Sequence, residues 1–431
     1  MSNLFIPNGF SVRDNEWFIE ELSLSSLAKE YGTPCFVYSR VALTEAFKQY
    51  ESACFRADGS RRARVHFAMK ANSNLAILNL FARLGAGFDL VSGGELERVI
   101  AAGGNPHDCV FSGVGKSAKE ITQALLAGVK CFNVESIPEL ARINEIAHSL
   151  GKIAPISLRV NPDVDAKTHP YISTGLKDNK FGIAYEAVLS TYQTAHQMAN
   201  CKIVGIDCHI GSQILEIEPF IESIDRILAL IADLSKLDIQ IEHLDIGGGL
   251  GISYGHEASP DITLFANTLL NHIEQQGFGH LEVVFEPGRS LVGNAGVLLT
   301  QIEYLKPTPA KNFCIVDAAM NDLMRPAMYA AYHAIVPVTL KDLPEMSYDV
   351  VGPVCETGDW LGKNRPLKVL PQDVLAILSA GAYGSSMASN YNTRPKALEL
   401  MIDGEKTYVI RERESVRDLF THERLLPTQA V

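Results

Sequence analysis

The sequence lacks long apolar runs and blocks of basic residues, and both absences limit the functions open to it. No apolar run approaches the roughly 20 residues that cross a bilayer, and the first residues show no basic stretch followed by an apolar core. We therefore expect neither a membrane span nor a signal peptide. The formal net charge is −12, and lysine and arginine nowhere cluster, which argues against nucleic acid and anionic membrane surfaces as partners.

Paired cysteines are absent as well. The eight cysteines are scattered and none forms a Cys-x-x-Cys pair, which disfavours zinc sites and dithiol redox chemistry. Most of them lie in apolar runs, where cysteine usually packs as a small buried hydrophobe. These features predict a reduced, soluble, cytoplasmic protein that holds no metal.

Short β-rich runs alternate with amphipathic, helix-like stretches from residue 64 onward. Such alternation implies parallel strands joined by right-handed crossovers. Eight such strand–helix units predict an α/β fold, a (β/α)8 TIM barrel, whose active site lies at the C-terminal ends of the strands. The predicted strands are 64–70, 87–92, 109–113, 130–135, 156–161, 203–209, 241–249 and 282–288.

A second, mostly-β domain is predicted past residue 295, where β-like runs follow one another without long helices. The first 40 residues, which include the run 34–40, precede the barrel strands and could complete this second domain. The predicted domains are 41–290 for the barrel and 1–40 with 291–431 for the β-rich part. The irregular loop 167–183 is long enough to be a functional cover or a disordered segment.

Polar residues stand at the ends of the predicted barrel strands. Lys70 ends an apolar run, where an ammonium group is costly unless something holds it. Any one polar residue at such a place could simply begin a loop, but eight together favour a shared site. They are Lys70, Asp89 with Ser92, Ser112, Glu135, Asn161, His209, Gly247 to Gly249, and Glu286.

The turns after the last two predicted barrel strands contain residues that suit a site for an anion and for a ring that carries a basic nitrogen. The run DIGGGLGI at 245–252 lets backbone N–H groups approach an anion, although a tight structural turn would also explain it. Barrels often bind phosphate at this position. Glu286, in FEPGRS, could keep a ring nitrogen protonated or pair with Arg289.

Three further stretches contain candidate site residues. His209 and Ser212, in CHIGSQ, offer a ring that can stack and a hydroxyl that can bind phosphate, although a lone histidine is more often structural. Cys355 stands beside carboxylates in CETGDW, and a buried inert thiol is its usual alternative. Tyr383 is flanked by glycines in GAYGSSMASNYN.

Seven motifs resemble, in order and spacing, the pyridoxal-phosphate-dependent decarboxylases of the alanine-racemase-like fold, and among these the group that acts on diaminopimelate. The resemblance extends from about Pro34 to Leu400. It implies pyridoxal 5'-phosphate as cofactor and the decarboxylation of meso-2,6-diaminopimelate to L-lysine, the last step of lysine biosynthesis. The motifs are FAMKANSN, GFDLVSGGE, HIGSQ, DIGGGLG, EPGRSLVGNAG, CETGD and GAYGSSMASNYN.

The resemblance also implies roles for individual residues. Lys70 would bind the cofactor aldehyde covalently, and Cys355, reaching in from the partner subunit of a homodimer, would protonate Cα after carbon dioxide leaves. The implied cofactor-binding residues are Lys70, Asp89, His209, Ser212, Gly248, Glu286, Gly288, Arg289 and Tyr383. The implied substrate-binding residues are Arg289, Arg325, Tyr329, Glu356 and Tyr383.

The distal end of the substrate separates the members of this family. Arginine can bind a distal carboxylate bidentately, and Glu356 suits a distal ammonium. Ornithine decarboxylases typically carry Asp after the cysteine, so CETGD favours diaminopimelate. The alternatives are a decarboxylase of carboxynorspermidine, arginine or ornithine, a racemase of the same fold, a cofactor-free Schiff-base aldolase and a non-catalytic regulatory homologue.

Overall fold

A computed structural model describes residues 4–165 and 179–427 of the protein. The chain divides into two compact units. One consists of Leu43–Ser253 and Ala258–Gly293, and the other of Met1–Ala42, Tyr254–Glu257 and Asn294–Val431. The predicted loop 167–183 lies mostly outside the described residues.

The first unit contains a closed barrel of eight parallel strands, which confirms the predicted TIM-barrel fold. Each strand pairs with the next in chain order, and the eighth pairs with the first, where Val283 lies opposite Ala63. The strands are Ala63–Ala68, Gly87–Leu90, Cys109–Phe111, Cys131–Val134, Ala154–Asn161, Cys201–Cys208, His243–Asp245 and Glu282–Phe285.

Helices connect the strands, because parallel neighbours need a crossover. The longest, Glu218–Ser235, buries one apolar face that includes Phe220, Ile227 and Leu234. The helix Ala118–Ala127 begins at a capping box between Ser117 and Glu120. The remaining α-helices of this part of the chain are Arg40–Ala53, Leu75–Arg83, Gly93–Ala101, Ile137–Ser149, Val188–His196, Ile262–Ile273 and Arg289–Val292.

One layer of the barrel interior packs imidazole rings against glycines. Gly205 lies opposite His243 on the neighbouring strand, and a Cβ at Gly205 would lie 2.2 Å from Nε2 of that ring. A Cβ at Gly87 would likewise lie 2.4 Å from the ring of His66. Burial lowers the pKa of His66 to about 3 and that of His243 to about 4, so both rings are neutral at neutral pH.

The second unit is mostly β, as predicted. Its largest sheet has nine strands, and Cys35–Ser39 lies between Gly296–Pro307, which is antiparallel to it, and Leu398–Asp403, which is parallel. The strand within the run 34–40 therefore belongs to the sheet of the second unit, as expected. The other strands of this sheet are Asn312–Val316, Ile335–Pro337, Met346–Val351, Trp360–Leu367, Val374–Ile377 and Lys406–Arg411.

A small three-stranded sheet and two helices complete the described elements of this unit. The sheet consists of Phe10–Arg13, Glu16–Ile19 and Leu22–Ser23, and the helices are Leu24–Tyr31 and Arg325–Tyr329. Its core packs the small sheet and the first helix against the large sheet, with residues such as Trp17, Leu27, Val37, Leu299 and Leu400 fully or nearly buried. Within the described ranges, no helix has both the length and the apolar character needed to cross a bilayer.

Gly205→Ala should destabilise the protein, because the added methyl group would overlap the buried His243 ring. Overpacking of this kind costs about 1–3 kcal/mol of the free energy of unfolding. Urea denaturation followed by circular dichroism measures the effect. The matched control is Gly115→Ala, where nothing lies within 4 Å of the position that the new methyl group would take. Equal stability of the two variants would contradict the packing described for this layer.

Candidate active site

Lys70 lies at the rim of the barrel, just beyond the first strand. The strand ends at Ala68, and Lys70 belongs to the 3₁₀ turn Met69–Ala71. Its Nζ donates a hydrogen bond to Asp89 Oδ2 at 2.6 Å. Ala68 and Asp89 are register partners on adjacent strands, which explains this proximity. The side chain of Lys70 is 39% exposed while that of Asp89 is fully buried, so the amine faces the mouth.

A cavity of about 400 Å³ opens at the C-terminal ends of the strands. This volume lies within the range of small-molecule sites, and the position is where barrel enzymes carry their active sites. Both predicted and unpredicted residues line it. They include Lys70, Asp89, Arg159, Asp207, His209 and Glu286.

Glu286 is a buried carboxyl group that needs a partner. Among the described residues, its Oε1 has no hydrogen-bond partner. Burial and the neighbouring carboxyl groups of Asp245, Asp89 and Asp207 raise the pKa of Glu286 well above its ordinary value. A protonated ring nitrogen in the cavity would supply both the missing hydrogen bond and the missing positive charge.

The glycine-rich turn after the seventh strand approaches the end of the eighth. The backbone N–H of Glu286 donates to Gly247 O at 2.7 Å, and a Cβ at Gly248 would lie 2.1 Å from Glu286 O. Only glycine fits at Gly248. Its N–H donates to His209 Nδ1 at 3.3 Å.

His209 is a neutral ring in this structure. Desolvation, with Arg159 and Lys70 adding positive charge nearby, lowers the pKa of His209 well below its ordinary value. A neutral ring that accepts a hydrogen bond at Nδ1 is held in one orientation. A ring held in this way could stack on a flat ligand, the role predicted for His209.

Arg289 and Ser212 form a polar pair beside the same turn. The guanidinium donates to Ser212 Oγ from Nε at 3.3 Å and from Nη2 at 2.9 Å, and Arg289 is buried. Gly288 immediately precedes Arg289, and a Cβ there would lie 3.1 Å from Ala68 O. A hydroxyl, a guanidinium and glycine-rich backbone are the groups that bind phosphate.

Three buried residues near Glu286 were missed by the sequence reasoning. One oxygen from each of Asp207, Asp245 and Glu286 lies within 4.8 Å of the others, and Arg159 Nε lies 4.0 Å from Asp207 Oδ2. The sequence did contain a signal for these residues, because each is a charged residue within an apolar strand, as in ISLRVN and IVGIDCH. Whether such a side chain faces the barrel interior could not be predicted without the strand register.

The predicted substrate residues Arg325 and Tyr329 share one short helix of the second unit. Arg325 is buried, and its Nη1 donates to His333 Nε2 at 2.8 Å. Its guanidinium carbon lies 4.7 Å from the centroid of the Tyr254 ring. His333 donates from Nδ1 to Leu378 O at 2.9 Å, which leaves Nε2 as an acceptor and orients Arg325.

Cys355 and Glu356 lie on an exposed turn of the second unit. The thiol of Cys355 is free and exposed, so the alternative of a buried inert cysteine is wrong. The turn is held by Asp359, which accepts from the N–H groups of Val354 at 2.8 Å and Met320 at 2.7 Å. Tyr383 lies on another turn of this unit, in the left-handed region at φ 56°.

Known proteins match this chain over most of its length. The family model of the pyridoxal-dependent decarboxylases, pyridoxal binding domain, matches residues 42–293. The diaminopimelate decarboxylase of Vibrio cholerae is 52% identical over 96% of this chain and 98% of its own length. That of Neisseria meningitidis serogroup B is 54% identical over 94% of this chain and 96% of its own.

A solved structure agrees along the whole length. The diaminopimelate decarboxylase of M. jannaschii, in co-complex with L-lysine, superimposes with a TM-score of 0.94 at 38% identity. The match covers 99% of this chain and 100% of that one.

The three buried acids Asp207, Asp245 and Glu286 predict how the free energy of unfolding depends on pH in the cofactor-free protein. Burial raises the pKa of Asp245 to about 7, so the folded state keeps a proton that the unfolded state has lost above about pH 4. The free energy of unfolding should therefore fall as pH rises from 5 to 8. Asp245→Asn should reduce this fall by roughly 1–3 kcal/mol. Urea unfolding at both pH values measures it, and an unchanged fall would contradict the assignment.

Proposed function

Because the chain belongs to the pyridoxal-dependent decarboxylases, and within them to the diaminopimelate decarboxylases, we propose that its barrel mouth decarboxylates meso-2,6-diaminopimelate through the residues described above. The reaction uses pyridoxal 5'-phosphate and yields L-lysine and carbon dioxide, the last step of lysine biosynthesis, and we place it in the cytoplasm. The observation that carries the residue assignment is one cavity lined by both Lys70 and Glu286, whose Oε1 has no hydrogen-bond partner among the described residues.

The barrel residues fit the cofactor. Lys70 would hold it covalently, Glu286 would pair with its ring nitrogen, and His209 would lie against its ring face. When bound, the cofactor supplies an electron sink for the negative charge that remains at Cα when carbon dioxide leaves. The orphaned Oε1 of Glu286 is the feature of this chain that requires such a partner.

Phosphate would be held where the glycine-rich turn meets the Arg289–Ser212 pair. Gly248 and Gly288 let these turns pack closely against Glu286 and Ala68, Ser212 offers its hydroxyl, and Arg289 supplies the positive charge. Tyr383 is proposed as a further ligand of the cofactor and of the substrate. These groups bind and orient, so losing any one of them should weaken cofactor retention before it changes the chemistry.

Asp89 prepares Lys70 for its covalent role. An amine attacks an aldehyde only after losing its proton, and Asp89 is the buried carboxylate that already accepts a hydrogen bond from Nζ. The same contact fixes the amine at the rim of the cavity. Asp89 therefore both positions Lys70 and can accept its proton.

Cys355 is proposed to protonate Cα from a second copy of the chain. Its thiol is exposed and free, and its backbone N–H donates to Asn392 Oδ1 at 2.8 Å, which fixes the turn that carries it. An exposed acid on a fixed turn is suited to act in a neighbouring subunit. The active enzyme would be a homodimer with shared sites.

The distal end of the substrate carries an ammonium and a carboxylate, and both need partners. Arg325 and Arg289 are proposed for the carboxylate, because a guanidinium forms paired hydrogen bonds with it. Tyr329 would add a hydroxyl, and Glu356 would pair with the ammonium. His333 orients the guanidinium group of Arg325, so this group need not reorganise when the substrate binds.

Borohydride reduction of the cofactor-bound protein should attach the cofactor to Lys70. Mass spectrometry of the peptides identifies the modified residue. Lys70→Ala should lose the covalent adduct, while Lys48→Ala, which alters an exposed lysine of the helix Arg40–Ala53, should keep it. An adduct on another side chain would refute the assignment of Lys70.

Carbon dioxide should be released from meso-diaminopimelate and scarcely from L-ornithine, L-arginine or carboxynorspermidine. A site built to bind a distal carboxylate is left with unpaired groups by substrates that lack it, so kcat/KM should fall by at least about 100-fold. Release of labelled carbon dioxide from each substrate measures this. A higher kcat/KM for any of the other three would overturn the substrate assignment.

Cys355→Ala should retain the cofactor and lose about 10²–10⁴-fold in turnover, the usual contribution of a general acid. Cys201→Ala, at a partly buried cysteine, is the control.

Mixing Cys355→Ala with Lys70→Ala should restore about a quarter of wild-type activity, because random hybrid dimers carry one intact shared site. Each variant alone should be nearly inactive. A mixture no more active than its components would show that the site is not shared in this way.

A further inference from the structure

A cluster of buried acids lies beneath the proposed ring-nitrogen partner, and the mechanism above leaves two of its members without a role. Asp207 and Asp245 are cross-strand register partners on the sixth and seventh barrel strands. Asp245 is in turn paired with Val284, two residues before Glu286. The register therefore places all three carboxyl groups together in the barrel interior, within 4.8 Å of one another.

The negative charges in this region exceed the positive charges that face them. Lys70 is paired with Asp89 at 2.6 Å. Arg159 is paired with Glu135 at 2.8 Å, and only its Nε approaches Asp207, at 4.0 Å.

Lys130 is the other cation close to Asp245, but it forms an ion pair with Glu282. Three ionised carboxyl groups in this position would be severely destabilising, because buried charge without compensation costs several kcal/mol per ion. The cluster must hold at least one proton.

A bound cofactor decides which acid holds that proton. A protonated ring nitrogen compensates Glu286, and Arg159 partly compensates Asp207. Asp245 is the member for which neither cation is available. Its Oδ1 accepts from the Gly247 N–H at 2.9 Å, whereas Oδ2 has no hydrogen-bond partner among the described residues.

We propose that Asp245 is a positioning residue which, in the cofactor-bound protein, carries a proton on Oδ2 and donates it in a hydrogen bond to Glu286. The donated hydrogen bond keeps Glu286 an anion and aims it at the ring nitrogen. This inference rests on the proposed pairing of Glu286 with the cofactor ring. Burial raises the pKa of Asp245 to about 7, which favours a proton on this group, whereas its interaction with Glu286 lowers that pKa in the cofactor-free protein. The proton is therefore assigned to Asp245 in the state in which a bound cation compensates Glu286.

Infrared spectroscopy of the cofactor-bound protein tests where the proton lies. A protonated carboxyl group gives a C=O band that shifts when water is replaced by D₂O. The band should be present in the wild type and in Asp207→Asn, and absent in Asp245→Asn. An absent band in the wild type, a band that persists in Asp245→Asn, or a band lost in both variants would overturn the inference.

The double variant Asp207→Asn/Asp245→Asn separates failure of this inference from failure of the proposed function. If the band persists in Asp245→Asn but disappears in the double variant, Asp207 holds the proton and only the inference fails. If it persists in the double variant and disappears when Glu286→Gln is added, Glu286 itself is protonated. The proposed pairing of an ionised Glu286 with the ring nitrogen would then fail as well.

Cofactor affinity gives a second readout that does not depend on turnover. Asparagine at position 245 can still accept from Gly247 and donate to Glu286, whereas leucine, of similar size, can do neither. Asp245→Leu should bind pyridoxal 5'-phosphate at least about tenfold more weakly than Asp245→Asn, the loss expected for one hydrogen bond to a charged group. Equal affinities in a spectroscopic titration would contradict the positioning role.

Discussion

The pairing of the eighth barrel strand with the first is the constraint on which the site depends. Val283 lies opposite Ala63, and the Ala68 N–H donates to Pro287 O at 3.1 Å. This contact joins the segment that leads to Lys70 with the segment that begins at Glu286, although more than 200 residues separate them in the chain. Closure of the barrel therefore creates the cavity that holds both the amine and the acid.

Buried charge is the second constraint, and it links stability to function. Glu286, Asp207 and Asp245 gather in the barrel interior, which an ordinary core would fill with apolar side chains. The folded protein tolerates these three carboxyl groups only where bound protons, Arg159 and a cationic ligand offset their negative charge. The cluster destabilises the empty barrel, and a cationic ligand would remove that destabilisation. The same coupling favours retention of the ligand.

The fold was predictable because its signals are local. Each barrel strand is a short β-rich run followed by an amphipathic helix, and all eight predicted runs overlap the observed strands. The strands of the second unit were harder to predict. Gly296–Pro307 changes from a buried half to an exposed half, and Trp360–Leu367 contains Gly, Lys, Asn and Pro. Neither strand therefore shows the alternation of apolar and polar residues by which a strand is recognised in a sequence.

The barrel, the family and the residues at the strand ends could be predicted from the sequence alone, because periodicity and short motifs are properties of neighbouring residues. The folded chain was needed to show that Arg159, Asp207 and Asp245 lie near Glu286, and that Cys355 is exposed. The physical reason is that register and barrel closure depend on hydrogen bonds between strands far apart in the chain. A shift by one residue would turn each of these acids to the other face of the sheet.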